Sequence, residues 1–450
     1  MSAAIIDKYG DARLPRYTSY PTAPNFTKNF DGSVYPQWLQ ALPQDEPTSL
    51  YVHIPFCRAM CWYCGCHTTV TQKDRPIIEY METLHREVEL LALARNESFS
   101  IGEIHFGGGT PTIMKPDEFV ALVHAFRDRL GFASTVNTAI EIDPRTLQSD
   151  MVAALAEAGV TRASLGVQSF DLKVQRAINR VQSVEQTMAA VSSLRSVGIN
   201  AINFDLIYGL PHQTVESCIE TVEAAVAMRP NRLAVFGYAH VPSFKKHQRL
   251  IQEEALPNAP ERALQAAAMA QALVAAGYVQ IGLDHFALPD DDLALAQAEG
   301  RLHRNFQGYT TDNCETLIGL GASSIGRLPQ GYVQNEVPHG LYASRVASGE
   351  LPIAKGYHLT AEDRLRAAII ERIMCDFAVD VEALACAHGF EANDLLRHND
   401  RLDELENDGL IQRDGGRVTI SEEHRFIVRA AASAFDAYLN QAGRSFSKAA

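Results

Sequence analysis

The sequence has little of what marks a secreted, membrane-spanning or nucleic-acid-binding protein. Only eight of its 450 residues are cysteines, and half of these fall within 57–66, which does not suit a disulfide framework and favours a reduced, intracellular metal site. The formal net charge of −14 leaves no broad basic face, so no binding of nucleic acid is expected. The most apolar stretch, 264–283, is interrupted by Gln271, Gly277 and Gln280, so no membrane span is expected. The N-terminal segment is charged and carries no secretory signal, and a cytoplasmic location is therefore expected.

The remaining composition is that of a chain that folds around a core, with 46% hydrophobic and 21% charged residues. Apolar and β-branched runs predict strands at 49–54, 101–106, 139–142, 161–167, 201–208, 233–238 and 278–286. Helical patterns lie between most of them, at 77–93, 117–130, 151–158, 184–197, 217–228 and 259–275. Strands that alternate with helices predict an α/β protein with a parallel sheet, either open or closed into a barrel.

The two ends of the chain depart from this alternation. The first residues are rich in proline and tyrosine and predict an extended arm over 1–48, followed by a barrel domain with an extension over 49–355. The remainder, 356–450, predicts a mostly helical domain. Its helices are expected at 362–375, 380–388, 391–407 and 430–441, with a small β-hairpin that turns at 414–416.

The strongest local signal is a cysteine loop after the first predicted strand. Its spacing, CxxxCxxC, places Cys57, Cys61 and Cys64 in one short segment, as a [4Fe–4S] cube requires. Three thiolates leave one iron of the cube open, and that iron can chelate an amino and a carboxylate group. A structural zinc site that uses His53 with the cysteines is the competing interpretation. Cys66 is either a fourth ligand or a neighbour of the cluster, and we favour the second.

Polar or glycine-rich residues also follow the other predicted strands, at the end where barrel enzymes build their sites. Glycines allow a backbone to approach a ligand closely, and a carboxylate can bind ribose hydroxyls. Each position also has an ordinary interpretation, as a turn, a helix cap or a polar residue on a barrel rim. The positions are Gly107, Gly108, Gly109, Thr110, Glu141, Asp143, Gln168, Asp205, Tyr208 and His240.

A cysteine loop of this spacing in a βα chain is typical of the radical S-adenosylmethionine (SAM) superfamily. Within it, the chain resembles the oxygen-independent coproporphyrinogen III oxidases along nearly its whole length. The segments that carry the resemblance are 15–23, 51–66, 105–112, 141–145, 166–168, 174–180, 205–211, 238–240, 284–287 and 303–311. The resemblance implies a partial (β/α)6-type barrel, a [4Fe–4S] cluster on Cys57, Cys61 and Cys64, and two bound SAM molecules.

The resemblance also implies which residues form the site, and it assigns no side chain as a catalytic acid or base. Cys66 corresponds to a cysteine that is not a ligand, and Phe306 and Gln307 line the cavity. The residues implied to contact the cluster-bound SAM are Tyr51, Gly108, Glu141 and Ile325. Those implied to contact the second SAM are Tyr63, Gly109, Thr110, Gln168, Arg180, Asp205 and Ala239.

The activity that the resemblance implies is the oxidative decarboxylation of the ring A and B propionates of coproporphyrinogen III to vinyl groups, giving protoporphyrinogen IX in haem biosynthesis. It requires an external one-electron donor and an external acceptor, and the family suggests a monomer. The substrate is a tetracarboxylate, so local basic residues must meet it, and Arg16 on the arm is a candidate. The arm is expected to cover the barrel mouth. A related haem-binding chaperone is the alternative, but Cys66 and the segment 15–23 favour the enzyme.

Overall fold

The computed structural model describes Ile5, Lys8, Tyr9 and residues 12–439. Over these residues, one sheet of twelve strands forms the centre of the molecule. Its strands, in chain order, are β1 (Pro47–Ile54), β2 (Ser100–Gly108), β3 (Phe132–Ile142), β4 (Arg162–Gln168), β5 (Ala201–Tyr208), β6 (Arg232–Gly237), β7 (Val279–Ile281), β8 (His285–Ala287), β9 (Thr316–Leu320), β10 (Ile325–Leu328), β11 (Gly331–Asn335) and β12 (Ile353–His358). Their spatial order is β12-β11-β10-β9-β1-β2-β3-β4-β5-β6-β8-β7.

Strands β9 and β1 to β6 are parallel, and the edges β10–β12 and β7–β8 are antiparallel. A helix follows each of the first six strands, which confirms the predicted partial (β/α)6-type barrel. These helices are α1 (Arg75–Arg95), α2 (Pro116–Arg129), α3 (Ser149–Glu157), α4 (Val184–Ser196), α5 (Val215–Ala227) and α6 (Ala259–Ala275). Because the outermost strands are β12 and β7, the barrel is open.

The other elements are short or lie in the C-terminal part. They are α7 (His339–Ala347), α8 (Ala361–Asp376), α9 (Val381–Ala387), α10 (Asp400–Asn407) and α11 (Val428–Ser433), with a three-stranded sheet of β13 (Ala378–Asp380), β14 (Ile411–Asp414) and β15 (Arg417–Ile420). Shorter helices are Tyr35–Gln40, Leu172–Ala177, Asp292–Ala298 and Asn393–Leu396, and the 3-10 turns are Ala23–Asn25, Gly32–Val34, Pro111–Ile113, Lys246–Leu250, Glu253–Ala255 and Glu422–Ile427. Two further strand pairs join Phe56–Cys57 to Thr69–Val70 and His303–Asn305 to Gly308–Thr310. No helix among the described residues is long and apolar enough to cross a lipid bilayer.

Three sequence predictions of secondary structure were wrong in part, those for 278–286, 391–407 and 430–441. The strand expected over 278–286 is two antiparallel strands, β7 and β8, because the chain reverses at Gly282, whose φ of 51° is open mainly to glycine. The helix expected over 391–407 is interrupted at His398, whose φ of 59° lies in the left-handed region. The hairpin that turns at 414–416 is present as β14 and β15. Of the helix expected over 430–441, α11 ends at Ser433, and 440–441 lie outside the described residues.

The apolar interior falls into two main clusters. The larger lies between the central sheet and its helices, and the smaller is formed by the C-terminal elements together with Leu14, Tyr17 and Tyr20 of the arm. The Tyr20 hydroxyl accepts a hydrogen bond from the Ala437 backbone N at 2.9 Å. The arm is therefore part of the C-terminal core, while the exact domain boundaries stay a prediction.

Candidate active site

The carboxyl ends of the parallel strands bring the predicted residues of the cluster-bound SAM to one edge of the sheet. The rings of Tyr51 and His105 stack with centroids 5.9 Å apart, and His105 Nε2 lies 3.4 Å from Glu141 Oε1. The second oxygen of Glu141 accepts a hydrogen bond from Gly108 N at 3.2 Å. Ile325 begins β10, whose antiparallel partner β9 pairs with β1 beside Tyr51. The structure thus groups Tyr51, Gly108 and Glu141 directly and places Ile325 on the neighbouring hairpin.

The cysteine loop is fixed between β1 and the glycine-rich turn that follows β2. Gly109 N donates to the Ile54 carbonyl and Thr110 N to the Phe56 carbonyl, both at 2.8 Å. A Cβ atom at position 109 would lie 2.5 Å from the Phe56 carbonyl oxygen, so only glycine fits there. The need for this glycine therefore follows from the fit of the turn against the cysteine loop, and a ligand contact at Gly109 stays a prediction.

Hydrogen-bond donors surround the thiols of this loop. The hydroxyls of Thr68 and Thr110 donate to Cys57 Sγ at 3.4 and 3.5 Å. Burial raises the pKa of Cys57, and these donors oppose the rise. The Cys66 thiol, with its backbone N 3.4 Å from Cys64 Sγ, lowers the pKa of Cys64 to about 6. Donors of this kind suit sulfurs that carry negative charge, as the ligands of an iron–sulfur cluster do.

Cys61 lies beside a buried group of charges. Arg145 and Arg180 donate to Cys61 Sγ at 3.6 and 3.5 Å. Both also pair with Asp143, at 2.6 and 3.3 Å. Although burial acts to raise the pKa of Asp143, the two arginines hold it below its ordinary value. The sequence identified Arg180 and Asp143, but it gave no reason to select Arg145 as a neighbour of the cluster loop.

The competing zinc interpretation does not agree with the surroundings of His53. Its Nδ1 lies 3.0 Å from the Tyr51 hydroxyl and its Nε2 lies 2.9 Å from the His67 carbonyl oxygen. The carbonyl can only accept, so Nε2 carries the proton and Nδ1 accepts from the hydroxyl, which leaves no lone pair for a metal. Burial lowers the pKa of His53 to about 4, so the ring is neutral. In the described part of the chain, no three His, Cys, Asp or Glu side chains are grouped as a single metal ion requires.

Of the residues predicted for the second SAM, Gln168 lies on β4, Asp205 on β5 and Arg180 in the loop after β4, while Tyr63, Gly109, Thr110 and Ala239 follow β1, β2 and β6. Arg180 Nη2 donates to the Gly166 carbonyl at 2.6 Å, next to Gln168. Asp205 accepts from Ser164 and Asn203, each at 3.0 Å. Burial, with the charge of Glu141, raises the pKa of Asp205 to about 6. The acceptor on β5 is therefore a carboxylate that loses its charge under mildly acidic conditions.

The segment 238–248 holds the cysteine loop from the other side. Gln248 Nε2 donates to the carbonyls of Tyr63 and Ala239, at 2.9 and 3.2 Å, and so joins two of the predicted residues. His247 Nε2 donates to the Cys64 carbonyl at 2.8 Å, and Lys245 Nζ to the Cys66 carbonyl at 2.9 Å. The sequence gave no signal for the contacts with the cysteine loop, because about 180 residues separate the partners in each of them.

The same segment forms one wall of a cavity of about 900 Å³. The arm, α6, the hairpin at 303–310 and the C-terminal part complete the lining, which includes Phe306 and Gln307 as predicted. Its aromatic side chains are accompanied by six arginines, although the whole chain has a net charge of −14. These arginines are Arg13, Arg16, Arg262, Arg304, Arg425 and Arg429. The site therefore joins a cysteine loop to a cavity suited to a large, apolar and anionic molecule.

Comparisons with known proteins agree with this arrangement. The family model described as Radical SAM superfamily matches residues 51–225, and the model described as HemN C-terminal domain matches 359–427. The chain is 55% identical to the oxygen-independent coproporphyrinogen III oxidase of Bradyrhizobium diazoefficiens, over 100% of both chains. It is 42% identical to the protein of the same name from Paracoccus denitrificans, over 95% of each chain. The solved structure of coproporphyrinogen III oxidase (HemN) from Escherichia coli, described as a radical SAM enzyme, superposes with a TM-score of 0.91 at 35% identity and covers 97% of this chain and 99% of that one.

Proposed function

Because the chain belongs to the oxygen-independent coproporphyrinogen III oxidase family of radical SAM enzymes, we propose that it converts coproporphyrinogen III to protoporphyrinogen IX in haem biosynthesis. The observation that carries the proposal is the segment 238–248, which both holds the cysteine loop and lines the arginine-rich cavity. A radical formed at the cysteine loop would therefore have the arginine-rich cavity of about 900 Å³ beside it. The haem-binding chaperone is not favoured, since the relatives from Bradyrhizobium diazoefficiens and Paracoccus denitrificans, which match over at least 95% of each chain, are named as oxidases.

The family implies a [4Fe–4S] cluster and SAM, and the residues present fit both. Cys57, Cys61 and Cys64 would hold the cluster, with hydroxyl and guanidinium donors already directed at the first two sulfurs. When bound, the cluster supplies one electron to SAM, whose cleavage gives methionine and a 5′-deoxyadenosyl radical. Around it, Glu141 and Asp205 would provide partly buried carboxylates for hydroxyl or ammonium groups of SAM.

We further propose two SAM molecules for each chain. Tyr51, Gly108, Glu141 and Ile325 would contact the first. The second would contact Tyr63, Gly109, Thr110, Gln168, Arg180, Asp205 and Ala239. The two sets are supported by separate groups of contacts, one around Glu141 and one linking Gly166 to Arg180. Equilibrium binding of SAM, counted per cluster, tests the number.

In the proposed reaction, each reacting propionate loses a hydrogen atom, CO2 and one electron. Removal of a hydrogen atom from the β-carbon of a propionate leaves a carbon radical, which loses CO2 and one electron to become a vinyl group. The electron passes to an external acceptor, and the electron used to cleave SAM comes from an external donor. The chain contributes enclosure, which excludes water, and arginines, which hold carboxylates. We also propose a monomer in the cytoplasm, where such donors are available, and size-exclusion chromatography tests the monomer.

An anaerobic turnover assay tests the proposed activity. The reconstituted protein is incubated with SAM, reductant and coproporphyrinogen III, and the porphyrins are separated after oxidation. We expect protoporphyrin with one 5′-deoxyadenosine for each vinyl group formed. The Cys61→Ser variant is the negative control, because it removes one predicted ligand. Tight haem binding with no vinyl product would contradict the proposal and support the chaperone.

A further inference from the structure

Among the described residues, the cavity lining contains more arginines than carboxylates. Six of its lining residues within the described part of the chain are arginines, whereas only Glu253 and Asp284 are acidic. Glu253 already contacts His240, 3.1 Å away. Asp284 accepts from His285 Nδ1 at 2.8 Å. Its charge also interacts with those of Arg304 and Arg16. The lining therefore favours an anionic ligand.

Three of these arginines come from distant parts of the chain and influence one another. Burial, together with the charges of Arg16 and Arg304, lowers the pKa of Arg429 to about 10. Arg429 is held in place because it donates to the carbonyls of Leu14 and Pro15 of the arm, the latter at 2.9 Å. Three guanidinium groups thus share a small volume, and a bound carboxylate would relieve their mutual repulsion.

Within this group, the half-buried side chain of Arg304 has few hydrogen-bond partners. Its Nη2 lies 3.4 Å from the Arg16 carbonyl oxygen, which is long for a hydrogen bond, and its Nε and Nη1 are buried with no hydrogen-bond partner. In the described part of the chain, no carboxylate forms an ion pair with it. Asp284 attracts the charge of Arg304 without contacting it, but buried nitrogens that lack an acceptor are costly, so a ligand oxygen is the expected partner.

The position of Arg304 is nevertheless well defined. Its guanidinium lies over the ring of Tyr309, 4.4 Å from the centroid, on the opposite strand of the same hairpin. Its backbone N donates to Glu371 of α8 at 3.3 Å, and the neighbouring His303 contacts the same carboxylate at 3.2 Å. The Arg304 guanidinium is therefore preorganised to donate hydrogen bonds from two nitrogens to one carboxylate.

Building on the proposed function, we propose that Arg304 is a specificity-determining residue that binds a propionate carboxylate which the reaction leaves intact. The chemistry gives the reason for this choice of propionate. A reacting carboxylate must leave as neutral CO2, and a buried ion pair stabilises its charged form before the reaction, which slows the loss. The two propionates that remain in the product keep their charge throughout, so pairing them with Arg304 does not oppose the chemistry.

The test compares Arg304→Gln with Arg301→Gln in the anaerobic holoenzyme. Arg301 is an exposed arginine three residues earlier and lies outside the cavity lining. We expect Arg304→Gln to raise KM for coproporphyrinogen III by at least roughly tenfold, about 1.4 kcal/mol, while Arg301→Gln leaves it unchanged. Arg304→Lys, which keeps the charge but loses the two-nitrogen geometry, should give an intermediate KM. An unchanged KM in Arg304→Gln, with the cluster absorbance intact, would overturn the inference.

Equilibrium binding separates this inference from the proposed activity. Mesoporphyrin IX carries only the two propionates that the reaction leaves intact, and coproporphyrin III carries all four. We expect Arg304→Gln to weaken the binding of both porphyrins by a similar factor. Weakening of coproporphyrin alone, weakening of neither, or failure of the unaltered protein to bind mesoporphyrin would each refute the assignment. If the unaltered protein gives no vinyl product, the proposed function fails while this binding comparison still stands. If Arg304→Gln does not fold, Arg304→Lys carries the same comparison.

Discussion

Glu87 on α1 is a fully buried carboxylate whose partners are all hydrogen-bond donors. It accepts from Gly321 N at 2.7 Å, from Asn335 Nδ2 at 2.6 Å and from the Tyr342 hydroxyl at 2.7 Å. Burial raises the pKa of Glu87 to about 7 in spite of these donors. Because the contacts hold the turn between β9 and β10, Glu87 fixes the backbone that leads into Ile325, a predicted SAM contact.

The raised pKa makes a definite prediction about stability. A carboxyl whose pKa is about 7 in the folded chain and 4.5 in the unfolded chain binds its proton more tightly in the folded state. Proton binding therefore stabilises the fold fully below pH 4.5, and this stabilisation is lost as the pH rises through 7. At 1.36 kcal/mol for each unit, the loss is about 3 kcal/mol. The Glu87→Gln variant does not titrate. Its amide leaves at least one of the donors without an acceptor, which costs about 1–3 kcal/mol at any pH.

We therefore expect Glu87→Gln to be less stable than the unaltered protein near pH 5, with a difference that shrinks or reverses by pH 8. Urea unfolding of the anaerobic holoenzyme, followed by circular dichroism at several pH values, measures this change. Glu89→Gln is the matched control, since Glu89 lies on the same helix, is exposed and pairs with Arg86 at the surface. Parallel pH profiles for Glu87→Gln and the unaltered protein would refute the reasoning.

Three further predictions follow from the site and the fold. Cys66→Ser should keep the iron content and visible absorbance of the cluster, and their loss would identify Cys66 as a ligand. SAM should bind less tightly below pH 6, because burial raises the pKa of Asp205 to about 6 and protonation removes an acceptor. In Asp205→Asn, the affinity for SAM measured by equilibrium dialysis should depend less on pH. An affinity that does not change with pH in the unaltered protein would contradict this role. Gly282→Ala should lower the thermal unfolding midpoint more than Gly277→Ala: both glycines have positive φ, but only at 282 would a Cβ overlap the Tyr309 ring, 2.0 Å away. Equal shifts would contradict the overlap.

The barrel could be predicted from the sequence where strands are dense in β-branched, aromatic and other apolar residues. Strands β5 and β6 lie within one residue of the predicted limits. On β5 the buried residues Ile202, Phe204 and Leu206 alternate with more exposed positions, and on β6 the buried residues Leu233, Ala234 and Val235 are consecutive. Strand β3 begins at Phe132, seven residues before its predicted start. The intervening segment contains Ser134, Thr135 and Asn137, which are polar and partly exposed, so no hydrophobic pattern marked it. The break at Gly282 was missed because an apolar run does not show where the chain reverses.

In the candidate site, residues that lie close together in the sequence could be predicted, whereas contacts between residues far apart in the sequence could not. Cys57, Cys61 and Cys64 lie in eight residues, so their spacing alone predicts a cluster. Gln248 joins two predicted SAM residues, yet its partners lie 185 and 9 positions away and nothing in the sequence relates the three. Of the cavity arginines, the sequence pointed only to Arg16, on the proline- and tyrosine-rich arm. Arg304 and Arg429 could not be selected, because each resembles an ordinary surface arginine until the fold brings the two into one cavity.

Binding of substrate in the cavity depends on docking of the arm, because the cavity arginines come from both the arm and the C-terminal part. Arg16 belongs to the arm, and the arm is fixed by Arg429 of α11 at positions more than 400 residues away in sequence. Leu14 and Tyr17 lie in the same apolar cluster as the C-terminal helices, so docking of the arm buries apolar surface of that cluster. A ligand that binds only when the arm is docked stabilises the docked state by an amount that grows with its concentration relative to Kd. The substrate cavity and the C-terminal core are therefore thermodynamically coupled: a mutation that loosens the arm core raises the apparent Kd of an anionic ligand even when it touches no residue of the cavity.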